Sequence, residues 1–230
     1  VVGERIPARF GLGPLRDVQV LCPMHRGRTG TEQLNLELQK LLNPAFGRST
    51  SVTQGGSTFF PGDKVMQIVN NYDLDVYNGD IGWIERIDQD ARVIDASFEH
   101  HSVRYDFDDL DQLTLAYGIT IHKSQGSEYP AVVMPLLTEH YIMLRRNLLY
   151  TGMTRGKQLV VLLGQRRALE LAIRNTDDLH RTTKLKDWLE SPPRAGLAGA
   201  PSWVRPTIRG FCPWVPERPE ERRCGVGGRS

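Results

Sequence analysis

The stretch LAYGITIHKSQGSEYPAVVMPLL, residues 115–137, places a polar decapeptide, IHKSQGSEYP, directly before an apolar run. The run AVVMPLL, residues 131–137, predicts a buried strand, and residues 117–127 before it predict a helix. A helix that leads into a Val-rich strand is a unit of a parallel α/β sheet. The polar side chains are then expected at the edge of that sheet, where α/β proteins bind ligands.

The same alternation continues toward the C-terminus. The segment RRNLLYTGMTRG (145–156) predicts a helix, QLVVLLG (158–164) a strand, and RRALELAIRN (166–175) another helix. A further strand, QLTLA (112–116), is predicted to precede the polar stretch and to join the same sheet. Strands rich in Val and Leu that alternate with helices indicate a parallel sheet covered on both faces.

The beginning of the chain has a similar pattern. DVQVLCPM (17–24) predicts a buried strand, and the spacing of Thr29 and Glu32 predicts a capping box at the start of a helix that Pro44 ends. The apolar face of that helix consists of Leu34, Leu38, Leu41 and Leu42. This strand and helix are expected to belong to the same sheet, and the Gly-rich residues 47–62 predict a polar linker.

Short strand-like runs fill the region between residue 62 and about residue 113. Examples are KVMQIVN, GWIERI, RVIDASF and SVRYDF, which are separated by turn clusters such as Asn78-Gly79. Short antiparallel strands over about fifty residues predict a small β-barrel, SH3-like in size, inserted into the α/β domain.

These patterns predict four segments. Residues 1–55 and 114–187 form the α/β domain, and residues 56–113 form the inserted β-barrel. Residues 188–230 contain seven of the 14 prolines, many Arg and Gly residues, and no hydrophobic periodicity. The composition of this tail predicts disorder.

The composition excludes several classes of protein. The net charge of +2 conceals a local +4 over residues 191–230, so the rest of the chain has no general basic signature for nucleic acid. The three cysteines form no CxxC pair, which fits a reducing cytoplasm better than a zinc site or a disulfide framework. The sequence has neither a signal peptide nor an apolar run of about 18 residues, which predicts no membrane partner. Because it begins without Met, we expect a fragment of a longer protein.

Two catalytic patterns are rejected from spacing alone. GMTRGKQ (152–158) is one residue too short for the phosphate-binding pattern G-x-x-x-x-G-K-[ST], and Gln158 stands in place of the Mg²⁺-binding hydroxyl. His122 next to Ser124 lacks an orienting third group, so a hydrolase triad is not predicted. The pair His100-His101 has no acidic residues at metal-ligand spacing, and no metal site is predicted.

Four segments occur in the order found in a known family. DVQVLCPMHRG, GDKVMQIVNNYDLDVYNGDIG, LAYGITIHKSQGSEYPAVVMPLL and RNLLYTGMTRGKQLVVLLG resemble segments of the RecD-like ATP-dependent DNA helicases, over roughly residues 5–175. The last two resemble motifs V and VI of superfamily-1 helicases. The resemblance implies the second RecA-like motor domain (2A), a parallel-sheet α/β domain, with an inserted SH3-like domain (2B).

The resemblance also implies an ATP site that faces the first motor domain. Arg155 takes the position of the motif VI arginine finger, which neutralises charge on the γ-phosphate in the transition state. Arg26 matches a second phosphate-contacting arginine. Gln125, Gly126 and Glu128 match the motif V turn, in which the carboxylate accepts a hydrogen bond from the ribose. ATP and Mg²⁺ are expected to bind jointly with an N-terminal motor domain of the same protein.

Single-stranded or double-stranded DNA is the second implied partner. Thr120, His122, Lys123 and Ser124 correspond to positions on the DNA-facing side, where hydroxyl and ammonium groups hold phosphates without reading bases. Asn78 begins the family's NGD turn, although a type I′ hairpin turn explains the same residues equally well. Gly152 and Gly156 depart from the family, which commonly has Ala there, and they are expected to weaken the helix that carries Arg155.

Three functions remain open at this stage. The first is the C-terminal motor half of a 5′→3′ DNA helicase, which by itself is not expected to hydrolyse ATP. The second is a non-catalytic nucleic-acid-binding module derived from a helicase. The third is an SH3-like protein-interaction domain on an inert scaffold.

Overall fold

The computed structural model of the chain describes residues 1–47, 50–99 and 101–175. The predicted tail, 188–230, and the last residues of the segment 114–187 lie outside the described residues. His100, named above for the metal question, lies outside them as well.

A parallel sheet forms the centre of the α/β domain. Its strands are β1 (Val18–Cys22), β9 (Gly118–Thr120), β10 (Tyr129–Leu136) and β11 (Gly156–Gly164), in the order β11-β10-β1-β9. Every pairing is parallel, and all five residues of β1 are buried. The predicted α/β class and the strands at the beginning and end of the chain are confirmed.

Within the described residues, four helices accompany this sheet: α1 (Arg5–Phe10), α2 (Thr31–Leu42), α3 (Arg146–Met153) and α4 (Arg166–Arg174). The predicted capping box at the start of α2 is wrong. The N-cap is Gly30, which provides no side-chain hydrogen bond, because the Thr29 hydroxyl is bonded to His140 instead. The helix α3 ends at Met153, so Arg155 lies in the turn after it and Gly156 begins β11.

The helix predicted over residues 117–127 is also wrong. Residues 118–120 form β9, which pairs with β1, and the following residues form turns. The backbone of Gly118 is held by Asn35, whose side-chain amide both accepts from its N–H (2.7 Å) and donates to its carbonyl (2.9 Å). The β-branched Ile119 and Thr120 then suit an extended buried strand better than a helix.

The inserted region is a five-stranded antiparallel sheet. Its strands are β4 (Lys64–Gln67), β5 (Ile81–Asp88), β6 (Val93–Phe98), β7 (Ser102–Asp106) and β8 (Leu113–Leu115), in the order β7-β6-β5-β4-β8. A 3-10 turn, Phe107–Gln112, leads from β7 to β8. The prediction that QLTLA joins the parallel sheet is therefore wrong, because this segment contains β8, which pairs with β4 in the antiparallel sheet.

The predicted linker 47–62 contains a small hairpin, β2 (Val52–Gln54) and β3 (Ser57–Phe59). Gly55 and Gly56 both have positive φ, at 58° and 83°, as a type I′ turn requires. Asn78 does not have positive φ, so the alternative of a type I′ turn at Asn78-Gly79 is excluded. We refer to residues 52–115 as the β-module.

The apolar core is continuous between the α/β domain and the β-module. One cluster joins β1 and α1 to module residues such as Phe59, Val65 and Ile84. A second cluster covers the other face of the parallel sheet, where Leu149 of α3 and Ala168 of α4 pack on Val132 and Met134.

A buried carboxylate fastens the β-module to the α/β domain. Asp63 is fully buried and accepts four hydrogen bonds, from Gln39 Nε2 (2.6 Å), Asn43 Nδ2 (2.6 Å), Phe60 N (2.7 Å) and Tyr117 Oη (2.8 Å). Burial raises the pKa of Asp63, and the four donors oppose this effect. Because the donors come from α2 and its C-cap, from the segment before β4 and from the residue before β9, Asp63 ties together the points where the chain enters and leaves the module.

Candidate nucleotide and nucleic-acid interface

The predicted DNA-binding residues Thr120, His122 and Lys123 lie at the carboxyl edge of the parallel sheet. Thr120 ends β9 beside Cys22, the last residue of β1. The Thr120 hydroxyl accepts a hydrogen bond from the backbone N–H of Lys123 at 3.3 Å. The side chains of His122 and Lys123 are exposed, and the Lys123 ammonium makes no hydrogen bond or ion pair within the described residues. These groups can therefore meet a ligand from solvent.

Ser124 is placed differently from the prediction. Its side chain is fully buried, and its hydroxyl donates a hydrogen bond to the carbonyl of Ile121 at 2.7 Å. A hydroxyl that is committed to its own turn stabilises the backbone and does not face a DNA strand. The expectation that Ser124 contacts DNA is therefore wrong for this conformation.

A groove of about 570 Å³ adjoins Thr120 and Lys123. The tip of the β2–β3 hairpin, Gly55-Gly56, lines it from the β-module, and His25 lines it from the loop after β1. The groove is thus bounded by hydroxyl, ammonium and imidazole groups together with a glycine turn. Such walls suit an unpaired strand that is held by its backbone.

Arg155 lies at the opposite, amino edge of the sheet, immediately before β11. It is half-buried and donates to three neutral oxygens: Thr151 O (3.3 Å), Ser127 O (3.2 Å) and Thr154 Oγ1 (3.2 Å). It forms no ion pair with a carboxylate among residues 1–47, 50–99 and 101–175. The guanidinium is therefore held in place while its charge remains available to an anion.

The motif V turn lies next to Arg155. The backbone N–H of Tyr129 donates to the Arg155 carbonyl at 2.8 Å, which joins the end of the turn to the start of β11. Gln125 is exposed, and Gly126 has a φ of 90°, a left-handed conformation that favours glycine. The exposed Glu128 carboxylate forms an ion pair with Lys157 at 3.2 Å.

Arg26 is not brought together with Arg155. It is exposed in the loop after β1, at the carboxyl edge, whereas Arg155 precedes β11 at the amino edge. The Arg26 loop is fastened by a hydrogen bond between His25 and Thr31 (2.7 Å) and by one between Thr29 and the buried His140 (2.7 Å). The two arginines therefore lie at different edges of this domain.

Asn78 is exposed in the loop between β4 and β5, and its backbone N–H donates to Asn70 at 2.8 Å. Its neighbours Gly79 and Asp80 share a cavity of about 720 Å³ with the motif V turn. Three further residues of this cavity, Lys64, Trp83 and Tyr129, were not anticipated from the sequence. A charged residue within an apolar strand, as in DKVM, was the available signal for Lys64.

The described residues contain neither a cluster of metal ligands nor a helix that could span a membrane. The described part of the chain contains no group of three or more His, Cys, Asp or Glu side chains that could hold a metal ion. No helix within the described ranges is long and apolar enough to cross a membrane.

Two protein-family models match the chain. Residues 34–98 match the SH3 domain of ATP-dependent RecD-like DNA helicases, and residues 115–163 match the C-terminal domain of UvrD-like helicases. The first match covers most of the β-module, and the second covers β9, β10, α3 and most of β11.

Similar proteins agree with these matches. The ATP-dependent RecD2 DNA helicase of Deinococcus radiodurans is 34% identical over 76% of this chain and 24% of its own length. The RecBCD enzyme subunit RecD of Mycolicibacterium smegmatis is 30% identical over 72% of this chain and 28% of its own length. A crystal structure of Pif1 helicase from Bacteroides, in complex with ADP-AlF3 and ssDNA, has the same fold, with a TM-score of 0.52 at 16% identity over 75% of this chain and 46% of that one.

The chain thus spans about a quarter of the length of these two curated relatives. The residues that match the two family models include most of the β-module, the strands β9 and β10, and the turns that hold Arg155 and Lys123. The family matches and the curated relatives agree that this chain is RecD-like, in that it is similar to one part of the ATP-dependent RecD-like DNA helicases.

Proposed function

We propose that the chain is the C-terminal motor half of an ATP-dependent 5′→3′ DNA helicase. It would supply an arginine finger to ATP and backbone contacts to single-stranded DNA, while an N-terminal motor domain supplies the phosphate-binding loop and Mg²⁺. The observation that supports this most directly is the guanidinium of Arg155, which three neutral oxygens position and no described carboxylate neutralises.

The arrangement of Arg155 suits an electrostatic role in phosphoryl transfer. A guanidinium fork held by backbone carbonyls is pre-organised, so little reorganisation is needed when charge develops on the γ-phosphate. Gly126 and Glu128 lie in the adjacent turn, where a glycine leaves room for a close ligand and a carboxylate can accept from a ribose hydroxyl. In this proposal, Lys157 must share Glu128 with the nucleotide.

Separate edges then serve separate ligands. The nucleotide would contact the amino edge at Arg155, and the DNA strand would contact the carboxyl edge at Thr120 and Lys123. The residues 121–128 run from one edge to the other, since they connect the end of β9 to the start of β10. A change at the nucleotide has a direct covalent route to the DNA contacts through this segment.

The role of Arg155 can be tested in a chimaera. The segment of the Deinococcus radiodurans relative that aligns with this chain is replaced by this chain, and ATP turnover is measured per folded molecule. Arg155→Ala is expected to lower kcat by about 10³–10⁵, equivalent to roughly 4–7 kcal/mol of barrier, with little effect on ATP binding. Arg155→Lys should restore little, because a point charge cannot reproduce the fork.

Arg167→Ala, on the exposed surface of α4, is the matched control and should leave kcat unchanged. Retention of DNA binding by both variants shows that the chimaera is folded. Turnover close to that of the parent in Arg155→Ala would refute the arginine-finger assignment, and so would a loss that only follows a lower melting temperature.

The DNA contacts are testable in the chain itself. Single-stranded oligonucleotides should bind weakly, with little sequence preference and with affinity that falls as salt rises. The double variant Thr120→Ala/Lys123→Ala should weaken binding and reduce the slope of log K against log salt by about 0.7, because one phosphate contact is lost.

Lys40→Ala on α2, another exposed lysine, is the control for loss of one positive charge. Each variant retains the Arg-rich residues 191–230, so nonspecific binding by that segment cancels in the comparison. Strong base preference, or a salt slope that Lys40→Ala changes as much as the double variant does, would count against the proposed contacts. Hydrolysis of ATP by the chain alone would contradict the assignment of the phosphate-binding loop to another domain.

A further inference from the structure

The cavity of about 720 Å³ between the β-module and the motif V turn contains three donors that make no hydrogen bond to any of the residues that the structure describes. They are the ammonium of Lys64, the indole N–H of Trp83 and the hydroxyl of Tyr129. Buried polar groups in folded proteins are nearly always hydrogen-bonded, so three unpaired donors around one cavity need an explanation.

Lys64 is the most unusual of the three. Only 2% of the residue is exposed, yet its ammonium forms no hydrogen bond or ion pair with any described residue. Burial lowers the pKa of Lys64 to about 8, and the charge of Asp17 partly opposes this shift. The Asp17 carboxylate is itself occupied by the backbone N–H of Gly13 at 2.7 Å. A buried ammonium without a partner is costly, and an anion in the cavity would remove that cost.

Trp83 lies beside Lys64 on the same face of the sheet. The two residues are directly opposed in the β4–β5 pairing, where the Cβ atoms of opposed residues are about 5 Å apart. The guanidinium of Arg16 stacks on the Trp83 ring at 5.3 Å. Two positive charges and an indole N–H therefore lie close together on the module side of the cavity.

Tyr129 provides a donor from the other side, at the first position of β10. The residue is only 7% exposed. Ser127 lies close to its hydroxyl, but the hydroxyl is not well aligned for a hydrogen bond with Ser127 or with any other described residue. Burial raises the pKa of Tyr129, so the phenol remains a protonated donor at neutral pH.

The acidic residues around the cavity do not compete for these donors. Glu128 is paired with Lys157, Asp80 accepts the backbone N–H of Tyr77 at 2.8 Å, and Glu99 is exposed to solvent. The buried part of the cavity therefore offers donors and the charge of Lys64, whereas Glu99 and Glu128 are exposed and Asp80 is partly exposed.

We propose that this cavity binds a phosphate group, held by Lys64, Trp83 and Tyr129 with Arg16 nearby. A tetrahedral oxyanion has enough acceptor oxygens to satisfy all three donors at once, and its charge would neutralise the buried ammonium. The phosphate can come from a nucleotide or from the backbone of a DNA strand. The site does not include Arg155, and its occupation does not depend on ATP hydrolysis, so it stands or falls separately from the proposed motor function.

Thermal unfolding of the 230-residue chain in increasing pyrophosphate tests the role of Lys64. The parent should be stabilised as pyrophosphate rises, since a ligand that binds only the folded state raises the melting temperature. Lys64→Met should melt at a higher temperature than the parent without pyrophosphate, because a buried unpaired charge is removed, and should lose the pyrophosphate-dependent rise. Lys40→Met, the same substitution at an exposed site, should retain that rise. A Lys64→Met chain that is still stabilised by pyrophosphate would overturn the proposal.

The indole N–H signal of Trp83 in ¹⁵N-labelled chain reports occupation directly, and Trp83→Phe identifies that signal among the four Trp residues. Pyrophosphate should shift it, and Lys64→Met should weaken the measured affinity at least tenfold. Titrations with ADP and with a short oligo(dT) then distinguish the source, since the ligand that shifts the Trp83 signal at the lower concentration supplies the phosphate. If pyrophosphate, ADP and oligo(dT) all leave the Trp83 signal unchanged, the phosphate site is refuted. It is also refuted if an acidic peptide shifts the signal and these three ligands do not.

Discussion

The four hydrogen bonds to Asp63 allow a quantitative prediction about how the two parts of the chain are joined. Asn43 and Tyr117 donate to Oδ1, while Gln39 and the backbone N–H of Phe60 donate to Oδ2. Burial raises the pKa of Asp63, and each of the four donors opposes that rise because it stabilises the ionised carboxylate.

Asp63→Asn keeps the shape of the side chain but replaces one oxygen with an NH₂ group. If the NH₂ group replaces Oδ2, the donors of Gln39 and Phe60 lose their acceptor; if it replaces Oδ1, Asn43 loses its acceptor, whereas the Tyr117 hydroxyl can turn to accept from the new NH₂. A hydrogen bond to a charged group contributes about 1.5–3 kcal/mol, so the loss of one or two predicts destabilisation by about 1.5–6 kcal/mol. That is a large share of the roughly 5–15 kcal/mol that stabilises a typical domain.

Urea unfolding of the full chain, followed by circular dichroism, gives the free energy of unfolding for each variant. Asp108→Asn is the matched control, because its side chain is 91% exposed and pairs with Arg92 only at 3.6 Å, on the surface. That variant should lie within about 0.5 kcal/mol of the parent. Tyr117→Phe removes one donor and should cost less than Asp63→Asn. A change below about 1 kcal/mol for Asp63→Asn would refute the reasoning, since it would mean that the carboxylate is not the acceptor at this joint.

Two further predictions concern the β-module. Gly82→Ala should destabilise the chain by about 1–3 kcal/mol in the same urea assay, because the new Cβ would lie 2.8 Å from the Ser97 carbonyl and 2.9 Å from the Phe98 ring. An unchanged free energy of unfolding would show that β6 can move away from the new methyl group at no cost. Burial lowers the pKa of Lys64 to about 8, so above pH 8 the unfolded chain binds more protons than the folded chain. The free energy of unfolding of the parent, relative to that of Lys64→Met, should therefore rise by about 2 kcal/mol between pH 7 and 9.5. A difference that does not change with pH would contradict the buried charge.

The sequence by itself determined the helices and strands that have a regular hydrophobic pattern. The strands β10 and β11 are runs of Val and Leu, the helices α3 and α4 have apolar residues at helical spacing, and the β-module has alternating strands between turn residues. Burial of a regular face imposes a period on the sequence, and that period can be read without the partner. The position of Arg155 beside the motif V turn was likewise implied by the family resemblance.

Only the tertiary structure decided the segment around the polar decapeptide. Residues 118–120 became a strand because β1, about a hundred residues earlier in the chain, offers its edge and because Asn35 of α2 holds Gly118. Such long-range partners leave no period in the local sequence, so the segment read as a helix. The same reason applies to β8, whose pairing with β4 assigned it to the β-module.

The direction of individual side chains was also decided by the fold. Ser124, predicted to face DNA, turns inward to the Ile121 carbonyl, and Arg26 and Arg155, predicted to share the ATP site, lie at opposite edges of the sheet. Lys64 gave the opposite case, because a lysine that the sequence marks as polar is buried beside a cavity. Residue type specifies which chemistry a position can perform. The orientation of a side chain and its protonation state depend on its surroundings, and these form only after the sheets have paired.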